Sequence, residues 1–308
     1  SIIRQITNWV FMKPERILEW HLKNALSKCS SPSSPKRLHM AMHHAVFPGG
    51  ARIRPRLCLA IADSFDNYDK NLAIAAAVAI EFLHCASLIH DDLPCFDDAN
   101  MRRGRPSVHK EFDERLAILA GDALIVEAFR HLNNCETRHF ARLRLVINLV
   151  TRSVGSGSGI IAGQAWECEK KASLEQYQRE KTGALFEAAV MSGAASAGSE
   201  IENWRLFGEK LGEAYQVADD IRDVIAHPSD VGKPTGRDEV LGRMSSAREL
   251  GLSGAVVYFD NLIDEVVASV PKFNNDAKLT KLIRNEAIRL VPKKGRIKVQ
   301  KIDRKAFS

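Results

Sequence analysis

An almost unbroken succession of segments with helical periodicity constrains the fold of this chain more than any other feature. Apolar residues recur at the spacing of amphipathic helices, Ala and Leu are prominent among them, and alternating β-branched runs are nearly absent. The pattern predicts a single all-α domain over residues 1–308, larger than a four-helix bundle, with apolar helices around a central space. The predicted helices cover residues 9–28, 35–47, 54–65, 72–90, 115–132, 138–154, 174–198, 202–225, 254–270 and 276–290.

Composition excludes some classes of protein and leaves the ligand open. Hydrophobic residues make up 45% and charged residues 27% of the chain, so it is neither disordered nor collagen-like. The net charge of +6 is interspersed, and no run resembles a nucleic-acid-binding arm before the tail after Lys293. This mild positive balance fits an anionic small molecule as well as it fits DNA.

Cysteine usage and hydropathy indicate the compartment. The six Cys residues form no C-x-x-C pair and no short secreted framework, which favours free thiols in a reducing cytosol. The first residues lack a basic start followed by a long apolar stretch. The longest apolar run, residues 72–80, is far shorter than the ~20 residues of a membrane span. We therefore expect a cytoplasmic protein with no signal peptide and no transmembrane segment.

Acidic residues form two clusters, each at the end of a predicted apolar helix. Carboxylates three or four residues apart on a helix share one face and repel each other, a cost that a solvated helix has no reason to carry. Acidic oxygens presented in this way suit Mg²⁺, which binds a few carboxylates together with waters and a substrate phosphate. The competing interpretation is a pair of solvated acidic patches. The predicted metal ligands are Asp91, Asp92 and Asp97 in the first cluster and Asp219, Asp220 and Asp223 in the second.

Basic residues elsewhere in the chain indicate a phosphate ligand. Guanidinium groups match phosphate oxygens in a bidentate manner, and ammonium and hydroxyl groups add further donors. Each such residue alone is typical of a protein surface. Together with two carboxylate clusters they are expected around a diphosphate that is bridged to metal on one side and clamped directly on the other. These candidates are Arg52, Arg54, Arg102, Arg103, Lys181, Thr182 and Lys233.

Eight ordered motifs carry a family resemblance that runs from about Met40 to the C-terminus. They occupy residues 47–55, 84–94, 102–104, 120–124, 163–167, 181–185, 216–220 and 232–234. On these motifs the chain resembles the trans-isoprenyl diphosphate synthases, most closely the bacterial geranylgeranyl diphosphate synthases of the carotenoid type. The resemblance implies an isoprenoid-synthase-type bundle of antiparallel helices around a deep cavity, as a homodimer, with no nucleic-acid partner.

The resemblance also implies a reaction and the residues that perform it. The reaction is the Mg²⁺-dependent condensation of isopentenyl diphosphate with allylic diphosphates to geranylgeranyl diphosphate. Three Mg²⁺ ions are expected to bind with the substrate diphosphate on the six aspartates. Direct contacts to the allylic diphosphate are expected from Arg102, Lys181, Thr182, Gln216 and Lys233, and contacts to isopentenyl diphosphate from Arg54, His84 and Arg103. The catalytic residues are then Asp91, Asp92, Asp219, Arg102 and Lys181, while His84 alone is equally typical of a capped helix histidine.

Two departures from the family pattern bear on this interpretation. Many members have Lys after the paired glycines where this chain has Ala51, and Arg52 is expected to supply the missing charge. Carotenoid-type members share this Gly-Gly-Ala-Arg form, so it does not predict inactivation. Residues 239–246 lack the Lys-rich segment of other members. The sequence therefore does not predict whether a C-terminal lid closes over the diphosphate.

The small residues upstream of the first aspartate cluster predict the product length. Positions four and five residues before Asp91 project along the growing tail, and they are Ser87 and Ala86. Similar farnesyl synthases carry an aromatic residue at one of them, so this pair favours a geranylgeranyl product. Small residues at these positions also fit close helix packing with no role in product length. The rival functions are a farnesyl diphosphate synthase, a catalytically idle partner subunit, and a terpene cyclase, which needs no second diphosphate site.

Overall fold

The computed structural model describes residues 14–170, 176–177, 179–226 and 246–291. These ranges are helical apart from one two-stranded hairpin and connecting loops, which confirms the all-α prediction. Shorter turns are 3₁₀-helical at Trp166–Cys168 and Ile201–Trp204 and π-helical at Arg179–Gly183. The α-helices are α1 Pro14–Ser27, α2 Lys36–Val46, α3 Ile53–Asp63, α4 Lys70–Asp91, α5 Val108–Glu111, α6 Glu114–Asn133, α7 Phe140–Val154, α8 Ile160–Ala165, α9 Ala184–Ser196, α10 Arg205–Ala226, α11 Ser246–Ala268 and α12 Asp276–Leu290.

The chain divides into two compact units. The first comprises Ser1–Val150 with Ser192–Ser199, and the second comprises Thr151–Met191 with Glu200–Ser308. Each unit carries one of the two aspartate clusters. A single domain over the whole chain stays a prediction.

Helix α4 is the centre of the first unit. It is apolar on nearly all faces and is buried under α1, α2, α3 and α6. The Asp69 side chain caps its start by accepting from Leu72 N at 3.0 Å. Near its end, α6 approaches so closely that a Cβ on Gly121 would meet the His90 ring at 2.2 Å. This packing fixes the end of α4, where the first aspartate cluster lies.

Within the described part of the chain, α4 is the helix with the length and composition of a membrane span. An 18-residue window has a mean hydropathy of 2.1, and 78% of that window is buried inside the protein. Burial of this extent is what a core helix shows, so the hydropathy is weak evidence for a span.

A short hairpin follows the first aspartate cluster. Strands β1 (Met101–Arg102) and β2 (Arg105–Pro106) pair antiparallel, with Met101 opposite Pro106. The two turn residues, Arg103 and Gly104, have φ values of 53° and 73°, as a tight hairpin turn requires. The sequence analysis did not predict this hairpin, because strands of two residues carry no readable periodicity.

The second unit is built around α10. Helix α11 packs along it, α12 packs on α11, and the π-helical turn contacts both α8 and α10. Buried Trp204 packs edge-on against Phe207 and beside Phe273. In this unit, two of the helices predicted from the sequence differ from those in the structure. Residues 174–198 were expected as one α-helix but include the π-helical turn, and α11 starts upstream of residue 254 and is broken at Gly251 (φ 67°, ψ 167°).

Candidate active site

The first aspartate cluster lies where α4 ends. Asp91 is the last residue of α4 and Asp92 is its C-cap. The following loop folds back on the helix, because Asp97 N donates to Asp91 O at 2.9 Å and Ala99 N donates to Asp92 O at 3.1 Å. The helix dipole places partial negative charge at this end, so these carboxylates deepen the local negative potential. The motif therefore forms a compact acidic loop, which suits a bound cation.

Arg102, on strand β1, neutralises part of this acidic loop. Its Nε donates to Oδ1 and Oδ2 of Asp92 at 3.2 and 3.1 Å, and its Nη2 also donates to Oδ1. Burial raises the pKa of the Asp92 carboxyl, and the Arg102 guanidinium opposes that shift. Burial lowers the pKa of Arg102, but Asp92, Asp91 and Asp97 outweigh it and raise the pKa. Three carboxylates thus act on one guanidinium, and the loop keeps a net negative charge.

The carboxylate oxygens of this loop suit Mg²⁺ when a further ligand supplies the remaining oxygen atoms. Among the residues that the structure describes, no three His, Cys, Asp or Glu side chains could hold a metal ion by themselves. Mg²⁺ is commonly bound by one or two carboxylates, with waters and substrate phosphate completing its octahedron. Asp91 is half-buried and Asp97 is exposed, while Asp92 is buried and pairs with Arg102. The roles of these three residues as metal ligands stay predictions.

Arg54 and His84 lie side by side. Arg54, in the first turn of α3, is 8% exposed, and its Nη1 lies 3.5 Å from Nε2 of His84 on α4. Burial first, and then the charges of Arg54 and Arg103, hold the pKa of His84 well below its usual 6.5. His84 is therefore neutral at neutral pH, accepts at Nε2 from Arg54 and carries its proton on Nδ1. The structure brings Arg54, His84 and Arg103 into one electropositive cluster.

A small cavity lies beside this cluster. Its volume is about 40 Å³, and its walls include Phe47, Gly49, Leu88, Asp92, Arg102 and Arg103. Arg103 passes directly over Gly50, because a Cβ on Gly50 would lie 2.9 Å from Arg103 Nε. A side chain at position 50 would therefore displace the Arg103 guanidinium. We refer to residues 47–50 as the glycine loop.

The structure corrects the expectation that Arg52 replaces the missing Lys at Ala51. Arg52 has a left-handed backbone (φ 52°), and its side chain is 5% exposed. Its Nε donates to Glu19 Oε1 at 2.7 Å, its Nη1 to Glu81 Oε1 at 2.6 Å and its Nη2 to Val46 O at 2.6 Å. These bonds tie α1, α2 and α4 together. The Arg52 donors face carboxylates and a carbonyl of the interior, and not a diphosphate.

In the second unit, α10 carries Asp219 and Asp220. Arg222 Nη2 donates to Asp219 Oδ1 at 2.6 Å, and Gln216 Nε2 donates to Asp220 Oδ1 at 3.2 Å. The Arg222 guanidinium also lies over the Tyr215 ring, 5.6 Å from its centroid. The repulsion expected between these carboxylates is thus reduced by a cation on the same helix. The sequence analysis missed this role of Arg222, although its three-residue spacing from Asp219 is the signal of a helical ion pair.

Lys181 and Thr182 lie in the π-helical turn Arg179–Gly183 of the second unit. Lys181 Nζ donates to Glu167 Oε1 at 3.2 Å and to the Tyr177 hydroxyl at 3.0 Å, and Tyr177 donates to Glu167 Oε1 at 2.7 Å. A Cβ on Gly163 would lie 2.6 Å from Lys181 N, so α8 presses directly on this turn. Single π-helical turns are frequent at functional sites. Glu167 was recognised within a motif but given no role in the sequence analysis.

Some predicted site residues are outside the described ranges. They are Lys233, the Asp223 side chain, and most of the segment 239–246. On α4, Ala86 is 1% exposed, and half-buried Ser87 donates from its hydroxyl to His84 O at 2.7 Å. Both residues therefore lie on α4 one turn before Asp91, and their role in product length stays a prediction.

Comparisons with known proteins identify the family. The polyprenyl synthetase family model matches residues 35–281. A geranylgeranyl diphosphate synthase of Cereibacter sphaeroides is 44% identical over 279 residues, which is 90% of this chain and 96% of that protein. The solved apo structure of an FPP/GFPP synthase from Zymomonas mobilis superposes with a TM-score of 0.73 at 30% identity, covering 89% of this chain and 98% of that one.

A second similar solved structure contains bound ligands. It is a geranyltransferase from Helicobacter pylori complexed with magnesium and isoprenyl diphosphate. It superposes with a TM-score of 0.71 at 28% identity and covers 91% of this chain and 99% of that one. The folds of these neighbours confirm the isoprenoid-synthase type of architecture. From the family match and the 44% identity, we conclude that this chain belongs to the polyprenyl synthetase family.

Proposed function

We propose that this protein is a Mg²⁺-dependent geranylgeranyl diphosphate synthase, which extends allylic diphosphates with isopentenyl diphosphate. The observation that carries the proposal is the 44% identity to a geranylgeranyl diphosphate synthase across 96% of its length. The chain keeps both aspartate clusters and the cluster of Arg54, His84 and Arg103. A prenyltransferase that joins two diphosphates needs both sets, whereas an idle subunit needs neither.

The chain's own cations are held ready for the allylic diphosphate. Bound Mg²⁺ would neutralise the diphosphate and make it a better leaving group. Arg102 forms an ion pair with Asp92, and Lys181 forms an ion pair with Glu167. Carboxylates therefore position both cationic side chains before the substrate binds. When the diphosphate binds, Arg102 exchanges an Asp92 oxygen for a phosphate oxygen, and Lys181 of the second unit stays a predicted contact. Pre-positioned cations stabilise the charge that develops as the allylic C–O bond breaks.

The second diphosphate belongs to isopentenyl diphosphate. Arg54 and Arg103 bind its oxygens, and neutral His84 lies beside Arg54 without adding charge to the arginine cluster. The isopentenyl double bond then attacks the allylic carbon as the C–O bond breaks, and a carbon–carbon bond forms. The resulting cation loses a proton to the departed diphosphate, which leaves a new double bond. The chain needs no side-chain base for this step.

The full proposal includes a homodimer in the cytoplasm with three Mg²⁺ ions per site. In its support, α6 exposes Ile118, Leu119 and Val126, which are 46%, 52% and 63% exposed. Apolar side chains grouped on one helix face are typical of an interface. All the cysteines in the described residues are free thiols, as a reducing compartment favours.

Light scattering coupled to size exclusion tests the dimer. We expect the mass of two chains for the wild type and a shift toward one chain for Val126→Glu, because a buried unpaired charge opposes association. Val257→Glu, at a residue of α11 that is 59% exposed, is the control and keeps the wild-type mass. A monomeric wild type contradicts the dimer.

Metal dependence tests the proposed reaction. We expect EDTA to abolish incorporation of isopentenyl diphosphate and added Mg²⁺ to restore it. Asp91→Asn and Asp219→Asn are each expected to lower kcat by about two orders of magnitude or more, because they remove charge stabilisation in the transition state. Asp66→Asn, on an exposed turn of the first unit, is the matched control. Full activity in EDTA would reject the metal assignment.

A further inference from the structure

A closed set of hydrogen bonds joins the end of α2 to the hairpin. His44, in the last turn of α2, bonds through Nε2 to Pro106 O at 2.8 Å. Arg105, on β2, donates from Nη1 to Phe47 O at 2.6 Å and from Nη2 to His44 Nδ1 at 2.7 Å. Each segment therefore donates to a main-chain carbonyl of the other, and the two side chains also bond each other. We call this set the His44–Arg105 clasp.

The chemistry of the clasp fixes the state of both side chains. Arginine can only donate and a carbonyl can only accept, so His44 accepts at Nδ1 and donates from Nε2 as a neutral imidazole. The Phe112 ring stands edge-on to the His44 ring, with centroids 5.7 Å apart and planes at 82°. Arg105 spans two acceptors with its planar fork, a geometry that a lysine ammonium does not reproduce.

The clasp joins the two segments that line the 40 Å³ cavity. On one side, Phe47 begins the glycine loop. On the other side, Arg105 is two residues from Arg103, whose guanidinium lies on Gly50. The other strand of the hairpin, β1, is held separately by the bonds from Arg102 to Asp92. Loss of the clasp therefore frees strand β2, which follows Arg103, while strand β1 stays attached to the aspartate loop through Arg102.

We infer that His44 and Arg105 are positioning residues for the isopentenyl diphosphate site. The clasp presses the hairpin on the glycine loop, so that Arg103 is directed to the same diphosphate as Arg54. The inference rests on the proposed function, because it needs isopentenyl diphosphate as the second substrate. A displacement of about 1 Å in a binding group is enough to weaken its action strongly.

Steady-state kinetics with the full chain test this inference. For His44→Phe and Arg105→Met we expect the KM for isopentenyl diphosphate to rise about tenfold, with kcat and the KM for farnesyl diphosphate within about twofold of wild type. The double variant should equal either single variant, because both break one unit. His44→Gln should restore most of the affinity, since its amide offers one acceptor and one donor.

The controls are chosen from the same elements. Met40→Gln changes an exposed residue of α2, and Arg115→Met changes an exposed arginine on α6, so both should leave all constants unchanged. If His44→Phe fails to fold, as judged by circular dichroism, Arg105→Lys carries the same test. An unchanged KM, an equal rise for both substrates, or additive single effects overturn the inference. A wild type that incorporates no isopentenyl diphosphate overturns the proposed function instead.

Discussion

Two arginines in neighbouring positions of the same motif have different surroundings. The left-handed backbone of Arg52 turns its side chain into the interior, where it pairs with Glu81, which is 2% exposed. Arg54, in the first turn of α3, lies against His84 instead. The sequence shows both residues as equivalent basic candidates. The distinction depends on a backbone angle that only the packed structure determines.

Replacing each arginine by alanine should therefore have a different effect. Arg52→Ala leaves Glu81 buried without its cation, and we expect a loss of about 3–5 kcal/mol in the free energy of unfolding. Arg54→Ala should instead raise the KM for isopentenyl diphosphate more than the KM for the allylic substrate. Urea unfolding and steady-state kinetics measure the two effects. Wild-type stability of Arg52→Ala, or an equal KM rise for both substrates in Arg54→Ala, would contradict this division of roles.

The neutral state of His84 predicts a pH dependence of stability. Its pKa is lowered in the folded protein, so both states are neutral above about pH 6.5, and below it the unfolded chain takes up a proton first. The free energy of unfolding should then fall by at most about 1.4 kcal/mol per pH unit on acidification. His84→Gln should remove this contribution to the pH dependence of stability, whereas His139→Gln, at an exposed position, should not change it. Urea unfolding at pH 7.5 and 5.5 measures this change. An equal fall in the free energy of unfolding for wild type and His84→Gln would refute the assignment.

At the scale of elements, helical periodicity predicted most of the long helices. The predicted 72–90, 115–132 and 276–290 agree closely with α4, α6 and α12, because these helices are long runs with apolar residues at helical spacing and have polar or proline residues at their ends. The hairpin, the π-helical turn and the break at Gly251 were not predicted. The π-helical turn is packed against a distant residue, since Gly163 presses on Lys181, and local periodicity does not record such a contact.

The small residues at the end of α4 predict the product length. Ala86→Tyr should shorten the product to farnesyl diphosphate and leave the first condensation nearly intact, because its ring blocks the path of the fourth isoprene unit. Ala86 is 1% exposed, so the same ring could disturb packing, and thermal melting serves as the check on folding. Ser87→Phe, at the half-buried neighbour, is the second variant. An unchanged product from stably folded variants would mean that these residues serve helix packing.

At the scale of the whole molecule, each of the two units carries a part of the predicted set of site residues. The charge types and spacings predicted two acidic clusters and a diphosphate ligand, and the order of eight motifs predicted the family. The carboxylate partners of Lys181 and Arg102 and the His44–Arg105 clasp were not predicted. They arise where tertiary packing brings together polar groups with complementary donors and acceptors.

The central claim is the product that the intact protein makes. The direct measurement incubates purified protein with Mg²⁺, radiolabelled isopentenyl diphosphate and each allylic primer in turn, and identifies the dephosphorylated products by chromatography. We expect geranylgeraniol from the five-, ten- and fifteen-carbon primers, with no longer alcohol accumulating. Products that stop at farnesol, or no incorporation of label from any primer, would contradict the assignment of this chain as a geranylgeranyl diphosphate synthase.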